Sequence, residues 1–220
     1  MRIALLGGTG DIGEGLALRF ARDTSHEVLI GSRDPEKARD RVGDYESRLA
    51  AAGVEADLGG FGNEMAADRG DVVVLAVPPF YVRDTVEEVA DRLGDAVLVS
   101  PAVGMDRDED GFHYAPPDAG SVTELVARTA PADVPVVGAF HTLPAGLLAD
   151  LDAEMDLDTV VLGDDPDARA TVADLAGELD GLRALDGGSV ANAPEVEGIT
   201  PLLINLARQN DLHDVGVAFR

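Results

Sequence analysis

Two short stretches carry residue types whose spacing could do chemistry. Gly8-Thr9-Gly10-Asp11-Ile12-Gly13 matches G-x-G-x-x-G and separates an apolar run from helix-forming residues. In such a turn the first glycine permits tight bending, the second lets a pyrophosphate approach backbone, and the third lets helix and strand touch. The helix that follows offers free N–H groups and the positive end of its dipole to phosphate. The second stretch ends Ile30-Gly31-Ser32-Arg33, with Lys37 four residues on. A site for a ribose 2′-hydroxyl would place Asp or Glu here, and this chain has neither. Ser32 can donate a hydrogen bond, and Arg33 offers a guanidinium fork to phosphate. Lys37 falls in the first turn of the next helix and faces the same way. It is the single lysine among 17 basic residues. Together these residues predict a 2′-phosphate site, so NADP(H) is expected rather than NAD. The bland alternatives are a structural glycine turn and a surface lysine paired with Glu36 or Asp40.

Other chemistries are harder to build. A Tyr-x-x-x-Lys pair, in which lysine lowers the tyrosine pKa for proton transfer, is missing: Tyr45, Tyr81 and Tyr114 are followed at that spacing by Leu49, Thr85 and Asp118. There is no cysteine, which excludes zinc-thiolate sites, iron–sulfur clusters, disulfides and thiol nucleophiles. His26, His113, His141 and His213 show no ligand spacing, so no metal site is expected. No acid–base residue for a carbonyl substrate emerges, and no catalytic side chain is assigned. The expected chemistry is hydride transfer to an acceptor that needs no proton from the protein.

The elements that must position these residues alternate. Arg2 to Leu6 reads as a buried parallel strand, and Leu16 and Phe20 fit a helix packed on a sheet. His26 to Arg33 is a second strand. A helix then runs from an Asp34 N-cap and Pro35 to a stop at Gly53. A weak strand is expected near Val54–Leu58, a polar segment near Asn63–Arg69, and a buried strand over Asp71–Pro79. A helix over 80–95 and a strand at 96–101 lead into a long Gly/Pro/Asp-rich loop at 101–118. Further elements are expected at 121–130, 134–139, 158–163, 166–178 and 182–188, then a helix broken by Pro201 and an apolar tail. The alternation predicts an α/β, Rossmann-like, doubly wound and mainly parallel sheet with a small C-terminal helical portion. Residues 1–188 would form the NADP-binding domain, and 189–220 a helical segment closing the cleft.

Charge narrows the partners. The 220 residues include 42 acids against 17 bases, a net charge of -25, with 45% hydrophobic residues. A polyanion of this kind is a poor match for nucleic acid or anionic membrane. No run approaches a membrane span and no leader pattern opens the sequence, so a cytoplasmic protein is expected. A folded, carboxylate-rich and lysine-poor surface suits a salt-rich cytoplasm, where repulsion is screened. Residues 19–48 hold seven bases and seven acids. That neutral island surrounds the predicted phosphate site.

Further segments carry a family resemblance along the whole chain. LLGGTGDIGEGLALRFA, GSRDPEKA, LAVPP, VSP, FHTLPA, GDDP and ITPLLINLARQN–VGVAF resemble archaeal NADPH-dependent coenzyme F-420 reductases. The resemblance implies reversible hydride transfer between NADP(H) and the 8-hydroxy-5-deazaflavin coenzyme, the two rings stacked so that positioning does most of the work. It implies that Thr9, Gly10, Asp11 and Ile12 hold the pyrophosphate, and Ser32, Arg33 and Lys37 the 2′-phosphate. Pro79, Arg83, Val103, Leu143 and Val215 would make further NADP contacts. Two of these positions depart from the family pattern: Pro79 stands in place of a Trp, and Arg83 in place of an apolar residue. Arg83, Arg107 and Arg208 are candidates for the anionic deazaflavin tail. His141 either turns the chain as a satisfied structural histidine or touches a cofactor. The Thr200–Asn210 helix is expected to pack the C-terminal half, and a homodimer is expected. Two other functions stay open on this fold: a non-catalytic NADP(H)-binding redox sensor, and an imine or metal-chelate reductase.

Overall fold

The computed structural model describes all 220 residues. The elements are β1 (Arg2–Leu6), α1 (Asp11–Asp23), β2 (Glu27–Ser32), α2 (Pro35–Ala51), β3 (Leu58–Gly62), α3 (Asn63–Arg69) and β4 (Val72–Leu75). They continue with α4 (Val82–Val89), β5 (Val97–Ser100), β6 (Met105–Arg107), β7 (Phe112–Tyr114), α5 (Val122–Thr129) and β8 (Val136–Gly138). The last are α6 (Ala145–Ala149), β9 (Leu157–Gly163), α7 (Pro166–Gly177), β10 (Leu182–Gly188), α8 (Ala193–Glu197) and α9 (Ile199–Asn210).

Eight strands form one sheet in the order β10-β9-β8-β5-β4-β1-β2-β3. All neighbours run parallel except β8 and β9, so β9 and β10 run against the other six strands. The expected mainly parallel, doubly wound α/β sheet is therefore present. Both faces are covered. Ile3, Leu5, Val72 and Val74 face α1, α2 and α7, while Ala4, Leu6, Val73 and Leu75 face α3, α4 and α5. Alternation between two buried faces is why these strands read as unbroken apolar runs.

Local signals set many boundaries. The Asp34 side chain accepts from the Glu36 and Lys37 amides, with Pro35 next in line. Asp165 and Pro166 use the same device at the start of α7. Gly53, at φ 77°, ends α2 with Gly53 N–H on the Ala50 carbonyl and Val54 N–H on that of Leu49. That is a Schellman ending, and it takes Val54 out of the strand expected there. The strand forms later, at Leu58–Gly62, where glycines let α2 approach: a Cβ on Gly60 would lie 2.7 Å from the Arg39 nitrogen. The long 101–118 segment contains the small hairpin β6–β7. At the C-terminus the break falls at Gly198. Pro201 instead sits in the first turn of α9, where its missing N–H costs little.

Candidate functional site

The strand order reverses between β1 and β4, and a cleft of about 620 Å³ opens near their C-terminal ends. Thr9, Gly10, Ser32, Arg33 and Lys37 all line it. Five residues chosen from sequence thus meet in one concavity. The turn itself is tighter than the motif suggested. The left-handed residue is Gly7, one position before the motif, and a Cβ there would lie 2.5 Å from the Ala76 carbonyl oxygen. Gly13 is the close-contact glycine, since its Cβ would meet the Gly8 Cα at 2.6 Å. Gly10 caps α1, whose first turn contains Asp11 and Ile12. The Tyr45 hydroxyl, on the buried face of α2, donates to the Gly8 carbonyl at 2.8 Å and holds the turn from behind.

The bases of the neutral island divide cleanly. Arg22, Arg41 and Arg48 pair with carboxylates. Arg19 is buried and donates to the carbonyls of Leu147, Leu148, Asp150 and Ala153, tying α1 to the segment after α6. Arg33, Lys37 and Arg39 form no ion pair in a molecule with 42 acids. The Arg33 guanidinium instead lies 4.8 Å from the Tyr81 ring centre, on the opposite wall. Ser32 Oγ accepts from the Asp34 amide at 3.2 Å, which leaves its hydroxyl proton free to donate. These groups suit a phosphate monoester. Asp84 and Glu88 also reach the cleft from α4, so the positive end is confined to the β2 side.

The other predicted contacts lie outside that lining. Pro79 opens a 3-10 turn over Pro79–Tyr81, and Arg83 is exposed in the first turn of α4, where Asp84, Thr85 and Glu88 face the cleft instead. Val103 and Leu143 are buried on the loops after β5 and β8. Val215 is half-buried in the C-terminal tail, next to Asp214, which touches Gly146. Arg107 and Arg208 converge on the Phe112 ring at 5.5 and 5.7 Å, while Arg83 stands apart from them.

His141 follows Phe140, an aromatic residue held at φ 68°. Its Nε2 lies 3.2 Å from Thr123 Oγ1, and its Nδ1 has no partner. Full burial pushes its pKa down to about 4, so the ring is neutral near pH 7. The Thr123 hydroxyl and amide both donate to Glu197, as do the Val122 amide and the Tyr114 hydroxyl. Glu197 is a cap for α5 supplied from α8. Burial raises its pKa, opposed by these four donors. This cluster had no sequence signal, because its members are unremarkable singly and distant in the chain. Asn63, Tyr45 and Tyr81 were also missed as site residues.

Residues 2–104 match the family model for NADP oxidoreductases, coenzyme F420-dependent. An F420-dependent NADP reductase of Methanocaldococcus jannaschii is 41% identical over 94% of this chain and 92% of its own length. Its counterpart in Methanothermobacter thermautotrophicus is 39% identical over 99% of this chain and 94% of its own. The crystal structure of a provisionally assigned F420-dependent NADP-reductase from Arthrobacter sp. FB24 superposes over 100% of both chains, with a TM-score of 0.80 at 26% identity.

Proposed function

The chain belongs to the F420-dependent NADP reductase family, and from that premise we propose how its residues carry the reaction. It is an oxidoreductase that uses NADP(H) and coenzyme F420. When bound, the two cofactor rings supply the hydride donor and acceptor. The protein's own part is to hold and orient them. The α1 N-terminus presents the Thr9, Asp11 and Ile12 amides to the pyrophosphate, and Gly10, whose own N–H donates to the Gly7 carbonyl, lets it approach the backbone. Ser32, Arg33 and Lys37 hold the 2′-phosphate. Pro79, Arg83, Val103, Leu143 and Val215 continue the NADP(H) surface toward the reacting end. Arg107 and Arg208, brought together at Phe112, receive the anionic tail of the deazaflavin. No side chain is assigned as an acid or base, because a hydride passed between stacked rings calls for positioning above all.

The observation that carries this assignment is the set of unpaired bases, Arg33 and Lys37, beside a free Ser32 hydroxyl in a cleft floored by the glycine turn. Residues 1–188 serve as the cofactor-binding domain. Residues 189–220 close its far side, supported by Glu197 on α5 and by Thr200 Oγ1 donating to the His141 carbonyl at 2.9 Å. The tail is fixed by Asp158 N–H donating to the Val217 carbonyl at 2.7 Å. Leu202 and Leu206 are exposed on α9, whose single charged residue is Arg208. On an acid-rich molecule, that face is suited to a second copy in a homodimer. No helix is long and apolar enough to cross a membrane. Two free small molecules as substrates fit work in the cytoplasm, and the charge of -25 fits a salt-rich one.

The test is direct. NADPH and oxidised F420 are mixed with the protein at high salt, and the F420 absorbance is followed. Its loss at a rate proportional to protein concentration is expected. Tight NADPH binding without turnover would instead identify a redox sensor.

A further inference from the structure

Asn63 opens α3, directly after β3, and is only 4% exposed. Its Oδ1 has no hydrogen-bond partner. The side chain lies against Gly31, where an added Cβ would come within 3.2 Å of that oxygen. It lines the cofactor cleft and also an adjoining groove that shares Ser32 and Arg33 with it. A buried carboxamide oxygen without a partner is costly, and its persistence points to a partner from outside the chain.

We propose that Asn63 is a specificity-determining residue that reads the 2′/3′ edge of the adenosine ribose of NADP(H). This rests on the assignment of the cleft to NADP(H). A carboxamide offers one acceptor and one donor group on neighbouring atoms. The ribose edge of NADP presents the complement: a 3′-hydroxyl that donates and a 2′-phosphate that accepts. NAD presents two hydroxyls there, which an acceptor-only carboxylate suits better. The three unpaired bases Arg33, Lys37 and Arg39 lie on the two grooves that meet at Asn63, which places positive charge for the phosphate beside the amide. Gly31 keeps the space in which the amide sits.

Isothermal titration of NADP+ and NAD+ against the full-length protein and two variants tests this. Asn63→Asp keeps the shape but removes the donor and adds repulsion toward phosphate. It should weaken NADP+ binding about 30-fold and leave NAD+ binding unchanged or tighter, so that the preference ratio falls by at least that factor. Asn63→Ala should weaken NADP+ about 10-fold, which keeps the test open if the acidic variant folds poorly. A wild type that prefers NADP+ together with variants that keep its preference ratio overturns the role of Asn63 and leaves the cleft assignment standing. A wild type that binds neither dinucleotide overturns both.

Discussion

Before residue 40, the chain has already supplied Thr9, Gly10, Ser32, Arg33 and Lys37 to the cleft. The buried cluster under α5 draws on Tyr114, Thr123, His141 and Glu197, and its outer members are 83 positions apart. The cleft uses backbone geometry and exposed bases that form no ion pair in the protein, Arg33 lying only against the Tyr81 ring. In the cluster, a buried carboxylate and a buried imidazole are bonded chiefly to each other's neighbours. Unpaired groups at the cleft are available to a ligand and contribute little to folding. In the cluster the satisfied Glu197 carboxylate holds α8 and α5 together, and removing it leaves several donors bare. Binding and stability should therefore respond separately to substitution.

The largest effect is expected from Glu197→Ala. Two backbone amides and the Thr123 hydroxyl lose their buried acceptor, so unfolding free energy should fall by about 4 kcal/mol in urea titrations, with NADP+ affinity little changed. A loss under about 1 kcal/mol would break the contrast. The mirror experiment is Arg33→Ala with Lys37→Ala. NADP+ affinity should drop about 100-fold, or about 3 kcal/mol, while NAD+ affinity and unfolding free energy barely move. Equal losses for both dinucleotides would mean that the phosphate site is misplaced.

A smaller effect sharpens the cluster side. The His141 pKa is about 4 in the fold against an ordinary 6.5, so the unfolded chain binds the extra proton between those values. Stability should fall as pH drops from 6.5 to 4, by up to about 3 kcal/mol. Glu197 acts in the opposite sense, because its raised pKa relieves a buried charge as pH falls. Unfolding curves for wild type and His141→Gln across that range should differ in slope, with the variant flatter. Superimposable slopes would remove His141 from the account.

The fold was legible because α/β alternation is written in short segments. Asp34-Pro35 and Gly53 act on their own neighbourhood, and those helix boundaries followed, whereas the strand expected over Asp71–Pro79 ends at Leu75, because Pro78 and Pro79 bring no N–H to a ladder. The other exceptions share a cause. Val54 was claimed by the helix ending, and a glycine-rich strand formed where α2 needed room, which propensity alone does not express. The reversed direction of β9 depends on how the chain returns through α6, a matter of tertiary path.

By itself the sequence determined the glycine turn, the missing acid at the end of β2 and the lone lysine beyond it, because each is a local fact about backbone freedom or charge. Only the tertiary structure decided that Asn63 stands unpartnered beside Ser32, that Tyr81 faces Arg33, and that Glu197 caps a helix from a distant part of the chain. Those relations depend on side chains brought together across a sheet. Such contacts have no fixed spacing in the sequence, so no periodicity or motif records them.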